Sequence, residues 1–172
     1  MRRIIVIGSS GAGKSTLAQR LGARLGLEVL HLDALHWKAG WVEPPKDVWT
    51  RRVEELLRRD SWIIDGNYSG TMQRRLEACD TVVFLDLPRL VCVWRIVKRT
   101  LVYFNRNRPD MAEGCYERFD LKFLRWVWDY PKRTRPKVVE LLKNAAPDKR
   151  VVWLKSSAEV ESFIDSLPPR DV

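Results

Sequence analysis

The feature that most constrains this chain is a β-branched apolar run, Ile4-Ile5-Val6-Ile7, that stops at Gly8 and passes directly into Gly8-Ser9-Ser10-Gly11-Ala12-Gly13-Lys14-Ser15. The run reads as a buried central strand of a parallel sheet. Leu17, Leu21 and Leu25 then repeat at four-residue spacing with Ala18 beside them, the buried stripe of an amphipathic helix that ends near Gly26. Strand, glycine loop and helix in this order match G-x-x-x-x-G-K-[ST] at every fixed position and in the context that motif requires. The spacing has a chemical reason. Glycines let the backbone wrap closely round a phosphate, so that consecutive N–H groups point inward while the helix N-terminus adds its positive end. Lys14 is then placed to reach the β- and γ-phosphates, and the Ser15 hydroxyl to ligate Mg²⁺. The stretch Gly8, Ser9, Ser10, Gly11, Ala12, Gly13, Lys14, Ser15 and Thr16 is expected to hold ATP, with GTP not excluded.

Further strands are expected at 27–30, 62–64, 81–85 and 151–154, and helices at about 49–57, 71–78, 88–104, 119–130 and 158–167, before a Pro168-Pro169 tail. Strands alternating with helices throughout predict an α/β fold, a doubly wound parallel sheet with helices on both faces. Trp49, Trp62, Trp126 and Trp153 fall at apolar positions and read as core. Phe119, Phe123, Trp126 and Tyr130 are expected on one face of a single helix, opposite Arg118, Lys122 and Arg125. Residues 31–45 read as a tryptophan-rich loop. Residues 105–114 are the least periodic and suggest a mobile lid.

At 172 residues the chain is one domain's worth, and no repeat or linker divides it, so residues 1–172 are read as a single domain. Cys79, Cys92 and Cys115 form no C-x-x-C pair, which points away from a disulfide framework or zinc site. No apolar run approaches the roughly 18 residues that cross a bilayer, and none resembles a signal-peptide core. A cytoplasmic protein without a membrane partner is expected. The formal charge of +9 is concentrated: residues 89–137 carry thirteen Lys/Arg against five Asp/Glu, leaving 18 against 17 elsewhere. Such a block suits a nucleic-acid face, an anionic surface or a clamp on a polyphosphate, and equally a solvated basic face.

Transfer of a phosphoryl group needs a carboxylate near the metal, cations to spread the charge, and exclusion of water. Asp33 follows the second strand and Asp65 ends the third. In an open parallel sheet both would project toward the ligand crevice. Asp33, Asp65 and Asp86 are the candidate carboxylates for the metal, of which Asp65 with Ser15 is favoured, whereas Asp86 before Pro88 reads rather as a helix-entry residue. Arg95 and Arg99, four apart on one helix face, and Arg133 with Arg135 form a candidate clamp, with Arg106 and Arg108 as further members. Trp37 and Trp41 offer a stacking surface for a planar substrate, while His31 and His36 read as ordinary loop histidines.

The combination of the glycine loop with His31-Leu32-Asp33, Trp37, Trp41, Asp65-Gly66-Asn67-Tyr68, Leu85-Asp86-Leu87-Pro88-Arg89 and Arg108-Pro109-Asp110-Met111-Ala112-Glu113-Gly114-Cys115 resembles the bacterial DNA topology modulation protein family. That family is similar to adenylate kinase and other small P-loop kinases. The resemblance implies three layers around five parallel strands in the order 2-3-1-4-5, with residues 89–137 as a basic helical lid. It also implies metal beside Asp65-Gly66, lid arginines at Arg95, Arg99, Arg133 and Arg135, and a nucleobase near residues 155–158. The adenylate kinase sequence Asp-Gly-Phe-Pro-Arg is here Asp65-Gly66-Asn67-Tyr68-Ser69, which removes the arginine that grips a monophosphate and argues against AMP as acceptor.

The reading that follows is an ATP-dependent small-molecule kinase of nucleoside or nucleotide type. Lys14, Asp33 and the clamp arginines would carry catalysis, and Asp33, Trp37, Trp41, Asp65, Asn67 and Tyr68 would hold the acceptor. A nucleic-acid-binding ATPase, with DNA on the basic segment, and a nucleotide-binding module without catalysis are the alternatives.

Overall fold

The computed structural model describes residues 1–145 and 149–168. Pro169 of the expected tail lies outside them. The chain runs β1 (Arg3–Gly8), α1 (Lys14–Leu25), β2 (Val29–His31), α2 (Leu32–His36), α3 (Lys46–Leu57), β3 (Trp62–Asp65), α4 (Ser69–Ala78), β4 (Thr81–Leu85), α5 (Arg89–Tyr103), α6 (Leu121–Trp128), α7 (Tyr130–Arg133), α8 (Arg135–Ala145), β5 (Arg150–Leu154) and α9 (Ser157–Asp165). The five strands pair in parallel in the order β2-β3-β1-β4-β5.

β1 is central because it carries no polar side chain between Ile4 and Ile7, and all four are at most 1% exposed. A strand covered on both faces must be continuously apolar. Ile4 and Val6 face the α1, α5 and α9 side with Leu17, Leu21 and Ile96, whereas Ile5 and Ile7 face the α3, α4 and α8 side with Trp49, Val53 and Leu76. The β1–β3 register sets Val6 opposite Asp65, and the β2–β3 register sets His31 opposite the same residue. Three strand ends carrying chemistry therefore meet at one edge of the sheet, as crossover topology requires.

Several local expectations are corrected. Residues 32–36 form a short helix rather than loop, and 135–145 form α8, which the alternating pattern did not reveal. α6 ends at Trp128, so Tyr130 belongs to α7, and Phe119 lies ahead of the helix, more than half exposed. Val127 is the buried residue of α6. Trp49 and Trp62 are buried, but Trp126 and Trp153 are only partly so. The 105–114 segment is packed down. Met111, Cys115 and Arg108 are buried, Gly40 N–H donates to Gly114 O, and Trp41 Nε1 donates to Tyr116 O.

A core this continuous makes β1 sensitive to truncation. Ile5→Ala should lower unfolding free energy by about 3 kcal/mol, the usual cost of a large-to-small change at a fully buried site, measured by urea denaturation.

Candidate functional site

The loop between β1 and α1 is held open by steric necessity. Gly8 adopts φ +147, and a Cβ there would lie 2.4 Å from Leu85 O. Gly11 has φ +78, and its Cβ would lie 2.3 Å from Cys92 O. No residue with a side chain fits either place, so β4 and α5 wall the loop at backbone distance. α1 has Gly13 as its N-cap and receives no side-chain cap. Its first-turn N–H groups thus lack a side-chain acceptor, which is the condition for binding an anion at a helix start.

Lys14 folds back over the loop and donates to Ser9 O at 3.0 Å. Burial pulls its ammonium below the ordinary lysine value, while the carboxylates of Asp33 and Asp65 pull the other way. A partly desolvated cation flanked by two carboxylates is a ready partner for phosphate oxygens. Ser15 Oγ donates to Asp65 Oδ2 at 2.8 Å, and Asp65 Oδ1 meets His31 Nδ1 at 2.7 Å. The hydrogen bond to Asp65 raises the His31 value despite partial burial. His31, read from sequence as an ordinary loop residue, therefore orients the carboxylate beside Ser15. The signal was the strand register, which no local pattern contains.

Asn67 has a different place from the one expected. Its side-chain amide donates to Gly8 O at 2.8 Å and its Oδ1 accepts from Gly8 N–H at 3.1 Å, joining the end of β3 to the loop. The Asn67 amide is committed to backbone rather than facing an acceptor. Asp33 accepts from Tyr68 Oη at 2.7 Å, and Tyr68 takes the left-handed backbone with φ +32. Burial, then the neighbouring Asp33, pushes the Tyr68 phenol well above its ordinary range, so it remains a donor to that carboxylate. Trp37 and Trp41 meet edge to face, with ring centroids 5.5 Å apart, beside His36.

The turn that carries Asn67 and Tyr68 depends on Arg75, which sequence reading missed. Arg75 is fully buried on α4, and its guanidinium donates to Gly66 O at 2.8 Å, to Tyr68 O at 3.1 Å and to Asn67 O. Burial pushes it down to about 10. Three convergent carbonyls stand in for a counter-ion, and helical spacing alone marks Arg75 only as a surface cation.

The four clamp arginines separate. Arg95 spans the phosphate loop and the start of α9, donating to Ala12 O at 3.1 Å and to Ser157 Oγ at 3.0 Å. Arg99 is tied one turn later to the buried Glu117 at 3.0 Å, which also receives Arg108 at 3.0 Å. Arg133 lies over the Trp126 ring at 5.0 Å. Arg135 grips Asp86 through two hydrogen bonds of 2.8 Å, and Trp153 Nε1 donates to the same carboxylate. Asp86 is thus an ion-pair anchor at the end of β4 and makes no cap on α5, whose N-cap is Pro88. Arg106 is exposed. Between Arg95, Gly13, Thr16, Leu87, Ser157 and Val160 lies a cavity of about 210 Å³ beside the loop.

Two predictions follow from this geometry. Arg75→Met should lower stability by about 2–4 kcal/mol in urea denaturation, because three carbonyls lose their donors, and Arg75→Lys should recover only part of it. Burial holds His36 below its ordinary 6.5, against weaker opposing pulls from Glu43 and Asp33. The unfolded chain therefore takes up this proton at higher pH than the folded one. The stabilising contribution is complete above 6.5 and is lost as pH falls through the lowered value. The raised His31 works in the opposite sense over the same range and is present in both proteins, so the urea midpoint of the native protein should fall relative to that of His36→Phe from neutral to mildly acid pH.

Residues 4–84 match a family described as an AAA domain. No curated protein matches the sequence. Among solved structures the chain is similar to an unliganded sugar kinase from Janibacter sp. HTCC2649, at a TM-score of 0.54 and 22% identity, covering 96% of this chain and 91% of that one. With the strand order and the glycine loop, the structural likeness gives the chain an α/β fold, a five-stranded parallel sheet around a P-loop sequence.

Proposed function

We propose that this protein is an ATP-dependent small-molecule kinase. The observation that carries the reading is the contact of Ser15 Oγ with Asp65 Oδ2 at 2.8 Å, beside an uncapped helix N-terminus and a desolvated lysine. A serine hydroxyl and one carboxylate are hard oxygen donors. Mg²⁺ is typically held by one or two protein oxygens together with phosphate and water, so these residues fit it. When bound, the ion would neutralise charge on the β- and γ-phosphates. The loop amides and Lys14 would hold those phosphates, which ATP and GTP share. The cavity bounded by Arg95 and Ser157 suits the nucleoside end of the nucleotide.

Asp33 is the residue we assign to the acceptor. The Tyr68 hydroxyl holds one of its oxygens, leaving the other to orient an acceptor hydroxyl and take its proton. The acceptor oxygen would form a bond to the γ-phosphorus as the bond to the β-bridging oxygen breaks, and the nucleoside diphosphate would leave with that electron pair. Trp37 and Trp41 would flank the acceptor. Arg95 is the one expected clamp arginine already touching the loop, and Arg99, Arg133 and Arg135 would join it only by leaving the partners described above. The 89–137 segment would then act as the lid. The similarity to a sugar kinase makes sugar and polyol hydroxyls the first acceptors to try, ahead of nucleosides and nucleotides. Membership of the DNA topology modulation family is proposed on the sequence motifs alone. A DNA-binding ATPase is disfavoured because Arg99, Arg108 and Arg135 are engaged by internal carboxylates, which lowers the charge available to a phosphate backbone. The cytoplasm is the compartment this chemistry implies.

Calorimetry with Mg²⁺ should detect uptake of ATP or GTP, and Lys14→Ala should abolish or severely weaken it. With a stimulating acceptor, Asp33→Asn should lower kcat by about 10²–10⁴-fold with little change in KM for nucleotide. Nucleotide binding without stimulation by any sugar, polyol, nucleoside or nucleotide would reduce the protein to a binding module. No uptake of either triphosphate by folded protein would overturn the reading.

A further inference from the structure

The outer side of α5 and α6 carries large apolar side chains among a few exposed cations, and no described residue covers them. Cys92, Ile96 and Thr100 turn α5 toward the core. About half a turn away, Leu90, Trp94 and Leu101 recur at helical spacing and are 65%, 65% and 75% exposed. α6 lies alongside. Val93 with Leu121, Leu124 and Trp128 lines an open groove of about 470 Å³, edged by Arg125 and Asp129. Leu121 is 70% exposed, and the Arg89 guanidinium sits 4.1 Å over the Trp128 ring, tying the two helices together.

We infer that this face is the interface of a symmetric dimer, its occupant a second copy of the same chain. Area is the first argument. Leu90, Trp94, Leu101, Leu121 and Trp128 are 40–75% exposed, enough for a patch of roughly 300–600 Å², the size of the largest and often functional patch on a monomer. With a polar rim such a patch forms the apolar centre of a standard interface of roughly 800 Å² per partner.

Self-complementarity is the second. A two-fold contact brings the same surface to itself, so a patch must carry both members of any ion pair it uses. Arg125 and Asp129 lie at the same groove edge, and within one chain they approach only to 3.8 Å with the arginine side chain 86% exposed. Across a two-fold axis each Arg125 can meet Asp129 of the partner subunit. The positive charge of the segment does not prevent this, because Arg95, Arg99, Arg108 and Arg135 point to internal partners and Arg89 stacks on Trp128. Lys98 and Lys122 are exposed and can lay their stems over the apolar rim while their ammonium groups stay in water. α5 is also the helix that walls the phosphate loop through Cys92 and Arg95, so dimerisation would brace that wall.

Sedimentation equilibrium of the full chain, from low to high micromolar concentration, tests the inference. The native protein should be a dimer. Trp94→Asp and Leu121→Asp alter exposed side chains, should leave far-UV circular dichroism unchanged, and should each raise the dimer Kd by roughly tenfold or more. Arg125→Asp should weaken association, and adding Asp129→Arg should restore it. A native chain that stays monomeric throughout overturns the inference, as does a dimer indifferent to both aspartate variants. Monomeric protein that sediments with phosphatidylcholine/phosphatidylglycerol vesicles through Trp94 and Leu121 would overturn it in favour of a lipid surface. Capture of an acidic amphipathic peptide by the monomer would do so in favour of a different protein partner.

Discussion

The chemistry of this molecule depends on one carboxylate held where two strands and a loop converge. Asp65 is nearly buried, and burying a carboxylate is costly unless hydrogen bonds replace water. Ser15 from the start of α1 and His31 from the end of β2 supply those bonds. Both partners are delivered by backbone geometry: β3 pairs with β1 and β2 in a register that sets Asp65 opposite Val6 and His31. A one-residue slip would turn Asp65 to the other face and leave it unpaired. The packing of helices on both apolar faces of these strands, which fixes their register in the core, is therefore also what assembles the site.

Around that carboxylate the structure uses polar groups to secure backbone. Asn67 closes the gap between β3 and the phosphate loop with two hydrogen bonds to Gly8, and Arg75 gathers the carbonyls of residues 66–68 from behind. Convergent buried hydrogen bonds of this kind rigidify a site. The result is a firm floor, with Tyr68 aimed at Asp33 despite a backbone conformation that a side-chain-bearing residue rarely adopts.

The basic segment looks different in three dimensions from its linear charge. Glu117 is shared by Arg99 and Arg108, and Asp86 pairs with Arg135. Lys98, Arg106, Arg118, Lys122, Arg125 and Lys132 stay exposed, beside the apolar side chains on the outside of α5 and α6. A run of like charge along a sequence thus does not say which of its members reach solvent and which are spent on internal carboxylates.

The sequence alone determined the parallel α/β class, the central place of 4–7 and the glycine loop, because each follows from local rules: apolar continuity, helical spacing, and positions that exclude a Cβ. It also marked Asp33 and Asp65 as strand-end carboxylates. It did not reveal α8, the short helix at 32–36, the hold of Asn67 on Gly8, or the buried role of Arg75. It could not tell which arginines face a ligand and which face a carboxylate. Those outcomes join residues that are distant along the chain, as His31 is from Asp65 and Arg135 is from Asp86. Only packing of the whole sheet and its helices decides such pairings, since the energy of a buried hydrogen bond or ion pair depends on which groups tertiary structure withdraws from water together.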